Sequence, residues 1–276
     1  MSITIDFLLD HDWRTIANHI EGFIRDYMEK VGVDGYVIGL SGGVDSSTAL
    51  ALAVEAVGAD RVYALIMPDS RTTPESDVRD AVAIAKKYSV GYDIIWIDRI
   101  YDAFTSIIPC FDSHDNVSNG NVRARTRMVI LYYYANHYNR LVLGTSDRSE
   151  ILIGYYTKYG DGAVDLLPLG CLYKTQVRRL AVELGIPKEI AYKPSSPRLW
   201  PGHKAVDELG MDYTEIDLIL YGLFDKRLDP EAVSEETGLP LEKVYRVLEM
   251  HRRSRHKRRL PPIPCIPGLE EAIIEL

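Results

Sequence analysis

The chain has 276 residues, 46% hydrophobic and 26% charged, with a net charge of −8. This is enough for a sizeable core in an α/β protein, and the acidic balance argues against a general nucleic-acid binder. No run approaches the ~18 apolar residues of a membrane span, and Cys110, Cys171 and Cys265 are too few, odd in number and too far apart for a disulfide framework or a zinc site.

The N-terminus, MSITIDFLLDHDWR, carries acids where a secretory signal has its basic region, so a reducing cytoplasm is the expected compartment. Each cysteine is read as a small, inert, partly buried side chain. Residues 11–31 place Ile16, Ile20, Phe23, Ile24, Tyr27 and Met28 at helical spacing, which predicts an amphipathic helix. Tyr36–Leu40 is a short apolar run, read as a buried strand. A helix opens at Asp45 and runs to about Val57. Arg61–Met67 is a second strand. Thr73 is a candidate N-cap with Pro74 at the first helical position, and that helix runs to about Tyr88. Tyr92–Ile97 is a third strand, followed by a helix at 99–107. Residues 109–120 are loop by composition, and 121–139 a long helix. Leu141–Gly144 is a fourth strand. Residues 154–170 are a glycine-rich loop, 173–184 a helix and 193–203 a proline-rich loop. Helices at 213–224, 230–237 and 240–255 close the reading.

Strands alternating with helices, and apolar throughout, predict an α/β fold: a doubly wound parallel sheet of about five strands flanked by helices, with extra C-terminal helices. Ligands of such sheets sit beyond the carboxyl ends of the strands, here the loops after Leu40, Met67 and Gly144. No internal repeat or linker divides the chain, so residues 1–276 are read as one domain.

Gly39-Leu40-Ser41-Gly42-Gly43-Val44-Asp45-Ser46-Ser47 joins a strand to a helix. Glycines let backbone N–H groups approach a phosphate, and the helix start adds free N–H groups and the positive end of its dipole. Neither GxxxxGK[ST] nor GxGxxG occurs at this turn. Asp45 repels anions there unless it holds a Mg²⁺ that neutralises them. A plain turn with Asp45 as a cap is the structural alternative. The SGGxDS pattern resembles the signature of the ATP pyrophosphatase superfamily, whose members cleave ATP between its α and β phosphates and adenylate a substrate oxygen.

Three further stretches narrow the substrate. Asn121–Met128 puts Arg123 and Arg127 on one helix face and Arg125 on another, and arginine suits bidentate grips on phosphate or carboxylate. In Gly144-Thr145-Ser-Asp-Arg-Ser-Glu150, Thr145 is placed to touch nucleotide and Glu150 to be a second metal carboxylate. Residues 154–178 mix Lys158, Asp161, Asp165 and Lys174 with glycines in a long loop, a composition that favours function over mere connection.

Together, SGGVDSS, NVRARTRM, GTSDRSE, GYYTKYGDGAVDLLPLGCLYKTQVR, KPSSPRLWPG and HKRRLPP resemble the NAD synthetase family, in order and over nearly the whole chain. The resemblance implies an adenine nucleotide alpha-hydrolase-like fold and amidation of nicotinic acid adenine dinucleotide (deamido-NAD) by ATP and ammonia. It implies that Gly39, Leu40, Ser41, Gly42, Gly43, Val44, Asp45 and Ser46 hold ATP with Thr145, Lys174 and Ser195. Asp45 and Glu150 would hold Mg²⁺. Arg125, Lys158 and Asp165 would contact deamido-NAD, as would His256 and Lys257, from this chain or a partner subunit. Asp45 and Lys174 would be catalytic, and Asp161 is a candidate to take a proton from ammonium. Asp147-Arg148 and His203-Lys204-Ala205 depart from the common family pattern at positions given no chemical role. No stretch is long enough for an additional amidase domain, so the nitrogen donor is free ammonia unless a separate glutaminase docks.

The resemblance also implies a homodimer. The apolar residues of helix 121–139 (Met128, Ile130, Leu131, Tyr132, Tyr133, Tyr134) cover more than one face, which fits burial on two sides; burial within one chain would look the same. His251–Arg259 has six Lys or Arg in nine residues. It is read as a phosphate clamp on the substrate in preference to a nucleic-acid patch or a solvated helix end. The rivals are a tRNA-thiolating or GMP-forming pyrophosphatase and a non-catalytic ATP sensor. The first wants paired cysteines or another C-terminal domain, and the second should lack Asp45, Glu150 and Lys174.

Overall fold

The computed structural model describes residues 2–264 and 267; Cys265 lies outside them. Helix α1 (Ile5–Leu9) and α2 (Trp13–Val31) precede β1 (Gly35–Gly39), α3 (Val44–Val57), β2 (Val62–Ile66), α4 (Glu75–Lys87) and β3 (Gly91–Ile94). Then come α5 (Asp98–Ser106), α6 (Asn116–His137), β4 (Arg140–Leu143), α7 (Arg148–Ile153) and α8 (Lys174–Glu183). Short helices α9 (Lys188–Ala191) and α10 (Ala205–Leu209) lead to α11 (Tyr213–Leu220), α12 (Pro230–Thr237) and α13 (Leu241–Arg253).

The strands form one sheet in the order β3-β2-β1-β4, and every pairing is parallel. Side chains alternate across it, as strand geometry requires. Tyr36, Ile38, Ala64, Ile66 and Leu143 face a core shared with α2, α3, α4 and α8. Val37, Leu65 and Val142 face the other way, against Ala135 and its neighbours on α6. Ile38 and Leu65 are fully buried, and each such side chain contributes about 1.5–3 kcal/mol of hydrophobic stabilisation. A third cluster joins Ile153 and Tyr173 to α11, α12 and α13, and Ile3 and Leu8 close it from the N-terminus.

Four strands are formed among the described residues, against an expectation of about five. The fifth position is a single bridge, Leu143 to Leu166. Asp165 N–H donates to the Val142 carbonyl (3.0 Å) and Gly144 N–H to the Leu166 carbonyl (2.9 Å). Pro168, with no N–H to give, and the turn closed by Gly170 N–H on the Leu167 carbonyl end the pairing there.

Two predicted helix starts are displaced. Pro74 is the N-cap of α4 rather than its first residue, and Thr73 Oγ1 accepts from Asp69 N–H at 3.1 Å instead of capping. Helix α6 begins at Asn116, inside the segment read as loop, because Asp115 caps it by accepting from Ser118 N–H (3.0 Å). Its Gly120 is required for contact: a Cβ there would lie 2.8 Å from Leu199 Cβ, where the proline-rich loop crosses. Cys110 and Cys171 are exposed, contrary to the expectation of partial burial.

Candidate active site

In the order β3-β2-β1-β4, the chain turns one way from β1 to β2 and the other way to β4. This is the topological switch point, where open α/β sheets bind ligands. A cavity of about 500 Å³ lies there.

Its floor is the loop from Gly39 to Ser46. Gly42 adopts φ 77°, and a Cβ on it would stand 2.3 Å from the Asp77 carbonyl oxygen, so no other residue fits. Ser46 Oγ accepts from Ser41 N–H (3.2 Å) and lies 3.1 Å from Ser41 Oγ. Gly43 is the N-cap of α3 and has no side chain to satisfy the helix's first N–H groups. Those donors face an anion's place without competition.

Asp45 on α3, Asp147 and Glu150 on α7 and Lys174 on α8 converge beside this loop. Asp147 and Glu150 form a reciprocal cap: Glu150 N–H donates to Asp147 Oδ1 (2.8 Å), and Asp147 N–H to Glu150 Oε2 (3.4 Å). Their other oxygens turn to Lys174. Its Nζ donates to Asp45 Oδ2 (2.7 Å) and Glu150 Oε1 (2.8 Å) and stands 2.9 Å from Asp147 Oδ2. The Asp147 contact is an ion pair whose angle makes no hydrogen bond.

Burial pushes the Asp147 and Glu150 carboxyls above their ordinary range, Glu150 well above, against the pull of Lys174. Burial opposes charge on Lys174 too, but the three carboxylates win and hold its ammonium well above the usual lysine value. One ammonium thus faces three carboxyl groups, two of which burial pushes toward their neutral form. Among the described residues, no group of three or more His, Cys, Asp or Glu is arranged to hold a metal by itself. Asp45 and Glu150 do line the cavity, and Asp45 Oδ1 is buried without a partner. Two carboxylates with a spare oxygen suit Mg²⁺, which takes the rest of its shell from phosphate and water.

Lys174 is held from behind. Its N–H donates to Ser149 Oγ (2.9 Å), Ser149 Oγ donates to Asp217 Oδ1 (2.5 Å), and Thr175 N–H donates to Asp217 Oδ2 (2.8 Å). Burial pushes the Asp217 carboxyl up to about 7, and these hydrogen bonds oppose it.

Thr145, Ser195, Asp161 and Lys257 also line the cavity. Asp161 is exposed, with Oδ1 accepting from Thr157 N–H at 2.9 Å. Lys257 belongs to this chain's own wall, and its ammonium donates to the Gly154 (2.7 Å) and Tyr156 (2.6 Å) carbonyls. Arg258 donates to the Ile151 (3.2 Å) and Leu152 (3.0 Å) carbonyls. Lys257 and Arg258 of the basic run therefore serve the C-terminal end of α7, where cations suit the dipole. Ser195 lies on the proline-rich loop, which Lys193 and Arg198 tie to Asp77 on α4 (2.7 and 2.8 Å).

Other expected residues lie elsewhere. Lys174 is fully buried behind Asp45 and Glu150 rather than in the cavity wall. Arg125 and Lys158 lie outside the wall, joined by an Arg125 guanidinium bond to the Lys158 carbonyl (3.2 Å). Asp165 is also outside it: its oxygens accept from Val142 N–H (2.7 Å) and Tyr132 Oη (3.2 Å), which pins the sheet edge. His256 is exposed and does not line the cavity.

Sequence reasoning gave no chemical role to Asp147, Tyr155, His203 and Glu208, and left Arg127 as one of two arginines on a helix face. Asp147 was legible as the first residue of a capping box, Asp-x-x-Glu. Arg127 lines the cavity, donates to the Met67 carbonyl (2.9 Å), and is pushed down to about 10 by burial. Arg123, on the same helix face, is spent on Asp69 (2.7 Å).

A parallel sheet with a glycine-serine anion loop and a carboxylate set at its switch point defines an α/β nucleotide-binding enzyme. The particular family follows from comparison: the NAD synthase family model matches residues 16–261, and the chain belongs to that family. It is 60% identical over 264 residues to the NH(3)-dependent NAD(+) synthetase of Hyperthermus butylicus, covering 96% of this chain and 95% of that protein. Among solved structures it resembles the NMN synthetase of Francisella tularensis (TM-score 0.82, 35% identity, 93% of this chain and 100% of that one). It also resembles the NH3-dependent NAD synthetase of Campylobacter jejuni, solved with nitrate (TM-score 0.78, 31% identity, 92% and 99%).

Proposed function

We propose that this chain is a ligase that amidates deamido-NAD to NAD, using ATP and ammonia and releasing AMP and pyrophosphate. The observation that carries the reading is the cavity itself. In a chain of this family, it sets an anion loop, Gly39 to Ser46, against the Asp45 and Glu150 carboxylates that Lys174 orients.

The reaction needs no enzyme nucleophile. The substrate carboxylate attacks the α-phosphorus of ATP, and pyrophosphate leaves. Ammonia then attacks the acyl-adenylate carbon, and AMP leaves. The enzyme's work is to bring two polyanions together in line and to meet the charge that develops. The N–H groups at the start of α3 and the Ser41 and Ser46 hydroxyls bind the phosphates. Thr145 and Ser195 flank the nucleotide. Arg127, lining the cavity wall, adds fixed positive charge. Asp45 and Glu150 would hold Mg²⁺, which would supply charge to offset that of the triphosphate and the departing pyrophosphate. The loop strapped to α4 by Lys193 and Arg198 limits water, which would hydrolyse the acyl-adenylate.

Arg125 and Lys158 belong to a dinucleotide site that extends past the cavity, with Asp165 fixing the nearby backbone and His256 and Lys257 bordering it. We infer a homodimer on this side. Arg125 shares a face of α6 with Val129 and Tyr133, which are 61% and 68% exposed. Apolar side chains left this open suit cover by a second copy. Residues 1–276 are read as one NAD synthetase unit. Among the described residues no helix is long and apolar enough to cross a membrane, and the exposed free thiols of Cys110 and Cys171 suit a reducing cytoplasm.

The test supplies ATP, Mg²⁺ and either deamido-NAD or nicotinate mononucleotide, with ammonium or glutamine, and reads the amidated product. NAD from deamido-NAD with ammonium is expected. Product from the mononucleotide alone would reassign the substrate, and product from glutamine alone would reassign the donor. No product from any combination would overturn the reading.

A further inference from the structure

Most basic side chains that line the cavity are already engaged. Lys193 and Arg198 are ion-paired with Asp77 (2.7 and 2.8 Å), and His203 Nε2 lies 2.8 Å from Glu208 Oε2. Lys257 donates to the Gly154 and Tyr156 carbonyls. Arg127 differs. It is half-buried and lines the cavity, yet only its Nε–H has a partner, the Met67 carbonyl at 2.9 Å. Among the described residues no carboxylate pairs with it, and neither terminal nitrogen is sealed from solvent. The carboxylates that act on its charge are Asp69, which Arg71 and Arg123 already hold (2.8 and 2.7 Å), and Asp161, whose Oδ1 accepts from Thr157 N–H. A guanidinium anchored at Nε with its terminal nitrogens open is a receptor for an oxyanion.

Its place selects which anion. Strand β1 lies between β2 and β4. The anion loop follows β1, and Thr145 and Glu150 follow β4, so the triphosphate and its Mg²⁺ have their partners on that side. Arg127 is tied to Met67, at the end of β2, on the opposite side. It stands one helical turn before Leu131, whose Cδ1 would lie 3.6 Å from a Cβ on Gly39, the first residue of the loop. Displacement at the α-phosphorus runs roughly in line, so the incoming oxygen approaches from the side away from the departing pyrophosphate. The helix that carries Arg127 also carries Arg125, outside the cavity, where the dinucleotide site is read to extend. Helix α6 thus joins that outer site to the inner wall.

We propose that Arg127 binds the nicotinate carboxylate of deamido-NAD through its terminal nitrogens and presents one oxygen to the α-phosphate. The same contact makes the site prefer an acid to an amide. Once the carboxylate has become the amide of NAD, its charge is gone and the grip on the guanidinium is lost, which favours release of product over substrate. This assignment rests on the amidation reading and gives Arg127 a specific partner within it.

The test is equilibrium binding of deamido-NAD and of NAD, measured by calorimetry on the whole enzyme without ATP. Wild type should bind the acid at least about 10-fold more tightly than the amide. Arg127→Gln should bring the two within about 2-fold, by weakening deamido-NAD and leaving NAD unchanged. Arg127→Lys keeps the charge without the planar fork and should retain part of the preference. Both variants should bind ATP within about 2-fold of wild type, which also reports an intact fold. A wild type with no preference, an acid-to-amide ratio unchanged in Arg127→Gln, or an equal loss for both dinucleotides would overturn the proposal, as would a loss confined to ATP. A wild type that binds neither dinucleotide would be a failure of the amidation reading, and the proposal would fall with it.

Discussion

Asp147 and Glu150 cap each other's backbone and share one ammonium: after each gives an oxygen to the cap, the other oxygen lies 2.9 and 2.8 Å from Lys174 Nζ. A local helix start thereby aims two carboxylates at a lysine from the next long helix, and Asp45 completes the set from α3.

Because this set is buried, its charges depend on one another. Lys174→Met should destabilise the protein by about 3–5 kcal/mol, since it leaves buried carboxylates without their counter-charge. Adding Asp147→Asn should recover part of that loss in thermal melts, and the non-additivity measures the pair. A single variant as stable as wild type would contradict the arrangement.

Asp45 is more exposed than Lys174 and has a spare oxygen. Asp45→Asn should lower turnover at least ~100-fold and leave the melting temperature little changed, as expected when one charge-holding group is lost from an active site. Activity near normal at saturating Mg²⁺ would remove Asp45 from the metal site.

Asp217 gives a pH signature. Burial holds its carboxyl at about 7, above its unfolded value of about 4, so the folded chain binds this proton more tightly. The stability this group contributes is full below the unfolded value and is lost as pH rises through about 7. Asp217→Asn removes that dependence. Between about pH 5 and about pH 7, urea midpoints should show the wild type losing about 2 kcal/mol relative to the variant. Parallel pH curves would show Asp217 to be ionised throughout.

Lys158 lies beyond the cavity wall, with its ammonium 5.0 Å from the Tyr159 ring centroid. Lys158→Ala should raise the KM for deamido-NAD more than that for ATP. The reverse order would move Lys158 to the nucleotide side.

The strands and the phosphate loop were legible because both are local. Continuous apolar runs mark strands buried on both faces, and SGGVDSS sits at a strand-to-helix turn. The start of α6 was misread because Asn116, Ser118 and Gly120 look like loop, and only the crossing by Leu199 explains the glycine. The fifth strand shrank to one bridge because Pro168 and the following turn end it, a matter of pairing rather than composition. In the site, Asp45 and Glu150 carried a motif signal, whereas the burial of Lys174 and the pairing of His203 with Glu208 depend on contacts between distant segments. Asp165 shows the same dependence: the resemblance implied a substrate contact, while its bonds to Val142 N–H and Tyr132 Oη join segments distant in sequence.

The central claim is that the substrate carboxylate attacks the α-phosphate. Deamido-NAD labelled with ¹⁸O in its carboxylate tests it most directly, with mass analysis of the products after turnover with ATP and ammonium. The account predicts one ¹⁸O in the phosphate of AMP and none in pyrophosphate. Label in inorganic phosphate or pyrophosphate, with unlabelled AMP, would contradict it.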